Sequence, residues 1–177
     1  MALTYITNKT FSQAKHNDTW LQLDNIFSHK HSLYELHLRG FQTTGATSAY
    51  NIHMSLIDGT GNLLSDSNYH FGQQGMRSNA DGRFNSGSTG QTSWRTGLLA
   101  YYEWTGNGRL LIHTPYESNR VTSFQGEMAG STSEHYTIMQ TGTYNNATRI
   151  TGIRFFVPVT GDYALQFADV TVYGLGK

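Results

Sequence analysis

The sequence predicts an all-β protein, an antiparallel β-sandwich of jelly-roll-like type with little helix. Three observations carry this. Apolar and polar residues alternate in several short stretches, the period of a strand with one face in the core and one in water. Clusters of Gly, Asn, Asp and Thr separate those stretches at the spacing expected of a sandwich. Helical periodicity is close to absent: only 11–27 could be argued, and Trp20-Leu21-Gln22-Leu23 within it fits a strand equally well.

The elements follow in chain order. Residues 1–17 are polar and read as an N-terminal arm, leaving 18–177 as a single domain. A first strand is expected near 19–27. In the next, Tyr34, Leu36 and Leu38 alternate with Glu35, His37 and Arg39. Tyr50, Ile52, Met54 and Leu56 alternate with Asn51, His53 and Ser55, and Asp58-Gly59-Thr60-Gly61-Asn62 then reads as a hairpin loop before Leu63-Leu64. A strand near 68–74 leads into 75–95, a Gly/Ser-rich stretch with no alternation, read as a long loop. Thr105-Gly106-Asn107-Gly108 separates a strand over 98–104 from one over 109–114, where Leu110 and Ile112 alternate with Arg109 and His113. Strands near 121–129 and 135–141 follow. The last stretch, 148–175, reads as a hairpin turning at Thr160-Gly161-Asp162. Its second strand carries Tyr163, Leu165 and Phe167 on one face, then shifts phase to Val170 and Val172, the signature of a bulge. The count is roughly eight to ten strands. Ile52, Met54, Leu56, Ile153, Phe155, Leu165 and Phe167 are expected in the core.

Composition narrows function. The 177 residues suit one domain. Lys+Arg and Asp+Glu balance at 12 each, and charged residues are only 14%, which argues against a protein built to grip nucleic acid or an acidic surface. Low charge suits a chain held at high local concentration in an assembly. There is no cysteine, so disulfides and thiolate chemistry are excluded. Met1-Ala2-Leu3-Thr4-Tyr5 lacks the basic start and apolar run of a signal peptide, and no stretch reaches the ~20 apolar residues of a membrane helix. Asn-X-Thr sequons at Asn8, Asn17 and Asn146 are chance matches in an Asn- and Thr-rich chain.

Candidate chemistry is sparse. His29-Lys30-His31 could offer two imidazoles on one strand face, but a polar turn explains it as well; His37 and His53 lie on strands that could be neighbours and pair across a sheet. Asp58–Asn62 lacks the acid spacing of a calcium loop. Glu103 beside Trp104 would need a second carboxylate, such as Glu117 or Glu127, to hydrolyse a glycoside. No nucleophile elbow or phosphate loop is present, so no catalytic residue, metal or cofactor is expected. Arg77, Arg83, Phe84, Trp94 and Arg95 in the 75–95 stretch are the residue types enriched at interfaces and form the candidate contact surface. Tyr101, Tyr102 and Trp104, near Tyr116, form a candidate glycan platform.

Two parts of the chain, Ser32–Phe41 with Tyr50–Ile57, and the 148–175 strands ending Val172-Tyr173-Gly174-Leu175, resemble small β-sandwich virion proteins of tailed bacteriophages, cyanophage-like in wording. The shared motifs are structural and bring no catalytic residues. The resemblance implies a non-enzymatic virion protein, assembled in the host cytoplasm. Within the virion the expectation is a capsid decoration (cement) protein that docks as a dimer or trimer on the major capsid protein. The alternatives are a tail-fibre or tail-tip head, or a lectin-like module that recognises a host surface glycan. Neither membrane nor nucleic-acid partners are expected.

Overall fold

Twelve antiparallel strands build two facing sheets in the computed structural model, which describes residues 3–12, 19–44, 50–78, 82–101, 105–131, 135–158 and 164–176. They are β1 (Leu3–Ser12), β2 (Trp20–Leu23), β3 (His31–Thr43), β4 (Tyr50–Asp58), β5 (Tyr69–Arg77), β6 (Arg83–Gln91), β7 (Trp94–Ala100), β8 (Gly106–His113), β9 (Thr122–Ser131), β10 (His135–Tyr144), β11 (Ile150–Phe156) and β12 (Leu165–Gly176). No helix occurs among the described residues. Eight strands form one sheet in the order β1-β12-β3-β8-β9-β10-β5-β6, and four form the other in the order β2-β11-β4-β7. The fold class is the one the alternation predicts.

The inward positions are those the pattern names. Tyr34, Leu36 and Leu38 of β3, Ile52, Met54 and Leu56 of β4, and Leu110 and Ile112 of β8 are all buried. Aromatic contacts tie the sheets together: Phe41 meets Phe155 edge-on at 5.5 Å, and Trp94 stacks on Phe124 at 4.9 Å. The Asp58–Asn62 turn is also as predicted. Asp58 Oδ1 accepts from the Thr60 and Asn62 amides, Ile57 bridges to Leu63, and the Thr60 hydroxyl and those amides hold the Asp58 carboxyl below the usual range.

Four expectations are corrected. The 148–175 stretch is not a hairpin. Its first strand, β11, pairs with β2 and β4, while β12 pairs with β1 and β3 in the opposite sheet. Alternation fixes which face of a strand is apolar, but not whether the next strand lies beside it or across the core from it. The expected turn, 160–162, lies outside the described residues. The phase shift within β12 does mark a bulge, since its register against β3 slips between Leu165 and Phe167 and again between Phe167 and Asp169. That slip leaves Phe167 half-buried and puts Ala168 in the core. The 1–17 arm is a strand over Leu3–Ser12, paired along β12, because the backbone of β12 would otherwise be an open edge; residues 13–18 lie outside the described ones. The 75–95 loop is the end of β5, all of β6 and the start of β7.

One buried charge sits on the outer face of the large sheet. Glu35 of β3 is only 6% exposed, yet points away from the core. Arg109 of β8 covers it with a bidentate pair, Nε to Oε1 at 2.7 Å and Nη2 to Oε2 at 2.8 Å, and His37 Nε2 lies 2.7 Å from Oε1. The Arg109 hydrogen bond outweighs desolvation and, with His37, holds the Glu35 carboxyl below its ordinary value. A depressed carboxylate contributes stability above the unfolded-state pKa and loses it as the pH falls through the folded one. Glu35→Gln should therefore cost about 1–2 kcal/mol at pH 7, a modest figure because Arg109 is half exposed to solvent. The deficit against wild type should shrink as denaturation is repeated at pH values falling below the ordinary glutamate range. A deficit unchanged down to pH 3 would contradict the pairing.

Candidate functional site

A sheet of eight strands faced by a sheet of four must leave part of its inner surface uncovered. The small sheet ends at β7, which packs across β8, β9, β10 and β5. Beyond β7 the β5–β6 end of the large sheet overhangs. The inward positions there are set by register: Gln73 of β5 lies opposite Ser86 of β6, and Phe71 opposite Ser88. Elsewhere the inward residues are mostly apolar; at the overhang Gln73, Ser86 and Ser88 join Phe71 on the inner face. A strand over a wet cleft needs no apolar face, which is why the Gly/Ser-rich sequence Arg83–Gln91 shows no alternation.

The overhang and the edge of the small sheet enclose two adjoining cavities of ≈ 450 and ≈ 380 Å³. Asn51, Ser86 and Arg95 line both, so they form one continuous cleft. Gln73, Arg77 and Tyr136 complete the inner part, and His53 and Ser88 the outer part. Among the described residues, the lining includes neither Asp nor Glu.

The electrostatics follow from two guanidinium groups. Arg95, on β7 opposite His53 of β4, is half-buried; its Nε is shielded from solvent and makes no hydrogen bond among the described residues. Arg77 lies over the Tyr136 ring at 5.5 Å. His53 donates or accepts at 2.8 Å with the Ser93 hydroxyl, and burial, with the Arg95 charge second, lowers its pKa to about 4. The imidazole is therefore neutral near pH 7, and among the described lining residues the positive charge is carried by Arg77 and Arg95. At the floor, Gln140 Nε2 donates to Gln73 Oε1 at 2.9 Å, while Gln140 Oε1 is buried without a partner among the described residues.

The sequence-predicted residues distribute unevenly about this cleft. Arg77 and Arg95 meet in it. Arg83 lies on the other side of the sheet, lining a separate cavity of ≈ 400 Å³ with Met76 and Met139, both prominently exposed. The Phe84 side chain lies outside what the structure describes. Trp94 is no surface residue: it is fully buried, its indole lying over Phe124 and β10. Tyr101 is half-buried, while Tyr102, Glu103 and Trp104 lie outside the described residues; Tyr116 sits in a turn under the Arg149 guanidinium at 5.0 Å. His37 and His53 belong to different sheets and do not pair. His31 packs edge-on to Tyr34 at 5.7 Å, whereas His29 faces Tyr116. Among the described residues no group of three or more His, Asp or Glu could hold a metal ion, and no helix is long and apolar enough to cross a membrane. Sequence reasoning missed Asn51, Gln73 and Ser86, which carry no motif; the signal that could have found them is the polar inward register of β5 and β6.

No protein-family model matches the chain, and no curated protein matches it. Among solved structures it is similar to infectious bursal disease virus VP2 in a subviral particle, at 16% identity and a TM-score of 0.23, over 96% of this chain and 41% of that one. The structure of the Gt strain of the same virus gives 15% identity and a TM-score of 0.21, over 98% and 40%. The chain thus spans about two fifths of the length of these structures. With TM-scores this low the likeness carries no functional weight.

Proposed function

We propose that this chain is a non-enzymatic structural subunit of a bacteriophage virion, a capsid decoration protein that docks on the shell as a homo-oligomer. The observation that carries the assembly part of this reading is the state of the sheet edges. Three of the four outer strands are blunted. β1 is bulged between Tyr5 and Thr7 and carries Lys9, whose Nζ donates to the Gln22 carbonyl at 2.8 Å. β2 has four residues. β7 is kinked at Gly97, φ +69°, and packs across the large sheet. The fourth, β6, is nine residues long with neither Lys nor Pro; its register slips only near its end, between Ser88 and Gln91 where Gly90 has φ +64°, and from Phe71↔Ser88 to Met76↔Arg83 it pairs with β5 without a break. An open edge with a regular stretch of six paired residues is a template for a strand from another chain, and proteins that live as monomers guard against it. Low charge, 14% of residues, adds little repulsion between copies packed side by side. The virion setting rests on the resemblance of the β3–β4 and β11–β12 sequences to phage sandwich proteins.

The assembly part is tested by guarding the open edge. Asn85 and Thr89 are exposed on β6. Asn85→Lys with Thr89→Lys should shift the sedimentation of the full chain from oligomer to monomer at matched concentration, with the fold intact by circular dichroism. Wild type that sediments as a monomer at high micromolar concentration, or a double variant that associates unchanged, would contradict the role of β6.

A further inference from the structure

We propose that β6 pairs antiparallel with β6 of a second copy of this chain, across a twofold axis at Ser86, joining the two large sheets edge to edge. The inference rests on the assembly reading above and names its partner and register. Exposure comes first. Arg83, Asn85, Ser86, Gly87 and Thr89 are all exposed, and among the described residues no strand lies outside β6. Backbone direction comes second. The Arg77 N–H donates to the Gly82 carbonyl, and the Met76↔Arg83 register carried one step on sets these two residues opposite each other. An antiparallel ladder alternates hydrogen-bonded with non-hydrogen-bonded pairs. Phe84, Ser86 and Ser88 therefore turn their N–H and C=O groups to β5, while Arg83, Asn85 and Gly87 turn theirs to the open side.

Two copies of this edge can meet only with outward-turned residues opposite one another, so a twofold axis must pass through a residue and not between two. An axis at Asn85 would pair only Arg83–Gly87 within the strand. An axis at Gly87 would run the pairing through Gly90, where the register slips and φ is +64°. The axis at Ser86 pairs Arg83 to Thr89 and stops short of that kink. It sets Asn85 opposite Gly87 on both sides of the axis, so small side chains face one another without a clash. Charge agrees. Arg83 is the only charged residue of β6, and this register separates the two copies of it by six residues, about 20 Å. Strand addition by a foreign peptide draws its specificity from pockets for alternate side chains. The run Asn85–Gly90 is Asn, Thr, Ser and Gly alone, so what it offers is a backbone in matching register, which a second copy supplies.

The chain has no cysteine, so one introduced thiol can cross-link only to its own copy in a second molecule. Ser86→Cys and Asn85→Cys, both at exposed positions, are incubated as full chains with oxidised glutathione and read by non-reducing electrophoresis. At the axis the two thiols sit on a non-hydrogen-bonded pair with Cα atoms about 4.5 Å apart, inside disulfide reach. At Asn85 they are offset by two residues, about 8 Å apart and beyond it. Ser86→Cys should therefore give at least about tenfold more covalent dimer than Asn85→Cys. Sedimentation supplies a second reading that needs no thiol. Thr89→Glu places a carboxylate opposite Arg83 of the second copy and should tighten the dimer about two- to tenfold, whereas Thr89→Lys should loosen it by a similar factor. Cross-linking at Asn85 equal to that at Ser86, or the same effect from Glu and Lys at Thr89, would overturn the register. A wild type that sediments as an oligomer while neither cysteine cross-links would overturn the pairing of β6 with itself and leave the homo-oligomer reading standing. A wild type that sediments as a monomer at high micromolar concentration would remove both.

Discussion

Trp94→Ala should destabilise the protein by about 3–5 kcal/mol, the range for deleting a fully buried large aromatic. The indole is the largest completely buried side chain among the described residues and joins the two sheets at the uncovered end. It comes from the edge strand β7, stacks on Phe124 of β9 at an interplanar angle of 21°, and lies so close over Gly142 of β10 that a Cβ there would stand 2.6 Å from its Nε1. Removing it leaves a cavity that flat glycine-bearing strands cannot collapse to fill. Its Nε1–H has no hydrogen-bond partner among the described residues, so the side chain acts through packing. Trp94→Phe should therefore retain much of the stability, losing roughly 1–2 kcal/mol. Urea denaturation of the three proteins checks this. Equal losses for alanine and phenylalanine would point to the indole N–H, and a negligible loss for alanine would place Trp94 outside the core.

Gly97→Ala should be nearly as damaging, by about 2–4 kcal/mol, for two separate reasons. Its backbone is left-handed, φ +69°, a conformation that costs an L side chain about 1–2 kcal/mol. A Cβ would also fall on the Gln140 amide and within 2.9 Å of Ile138 Cγ2. Gln140 is the residue that fixes Gln73 at the cleft floor, so the damage reaches the site. Gly61 offers the control: its φ is +87°, but nothing stands within 4 Å of a Cβ there, and it lies in the exposed Asp58–Asn62 turn. Gly61→Ala should carry only the backbone cost. Equal thermal shifts for the two variants would show that the close approach of β7 to β10 is not constraining.

The sequence made most of the sandwich legible and obscured one end of it, for a single physical reason. Alternation appears where a strand separates oil from water. β3, β4 and β8 do so, and their core residues could be named from the pattern alone. β6 separates solvent from a wet cleft, so the run Asn85–Gly90 within it is small and polar on both faces, and it reads as a loop. The same stretch placed Trp94 on the surface by association with its Gly/Ser-rich neighbours, although it begins the next strand and points into the core. In sequence, Arg77 and Arg95 read only as members of the 75–95 contact surface. That they share a cavity depends on the crossing of β7 over the large sheet, which no local pattern encodes. The sheet to which a strand belongs is equally hidden: β11 and β12 are adjacent in sequence with matched apolar faces, yet they lie in opposite sheets. Glu35 is the converse case, a polar position rightly placed on the outer face but buried there by Arg109 across the strand pair.

The most direct test of a shell-stabilising role compares phage particles with and without this protein in two paired readings, the temperature at which heads release DNA and the rate of adsorption to cells. A protein that binds only the assembled shell raises its stability by mass action, and many copies act together. Particles lacking it should release DNA at a lower temperature and adsorb at an unchanged rate. Unchanged release together with lost adsorption would contradict the account and place the protein in the tail apparatus as a receptor-binding head.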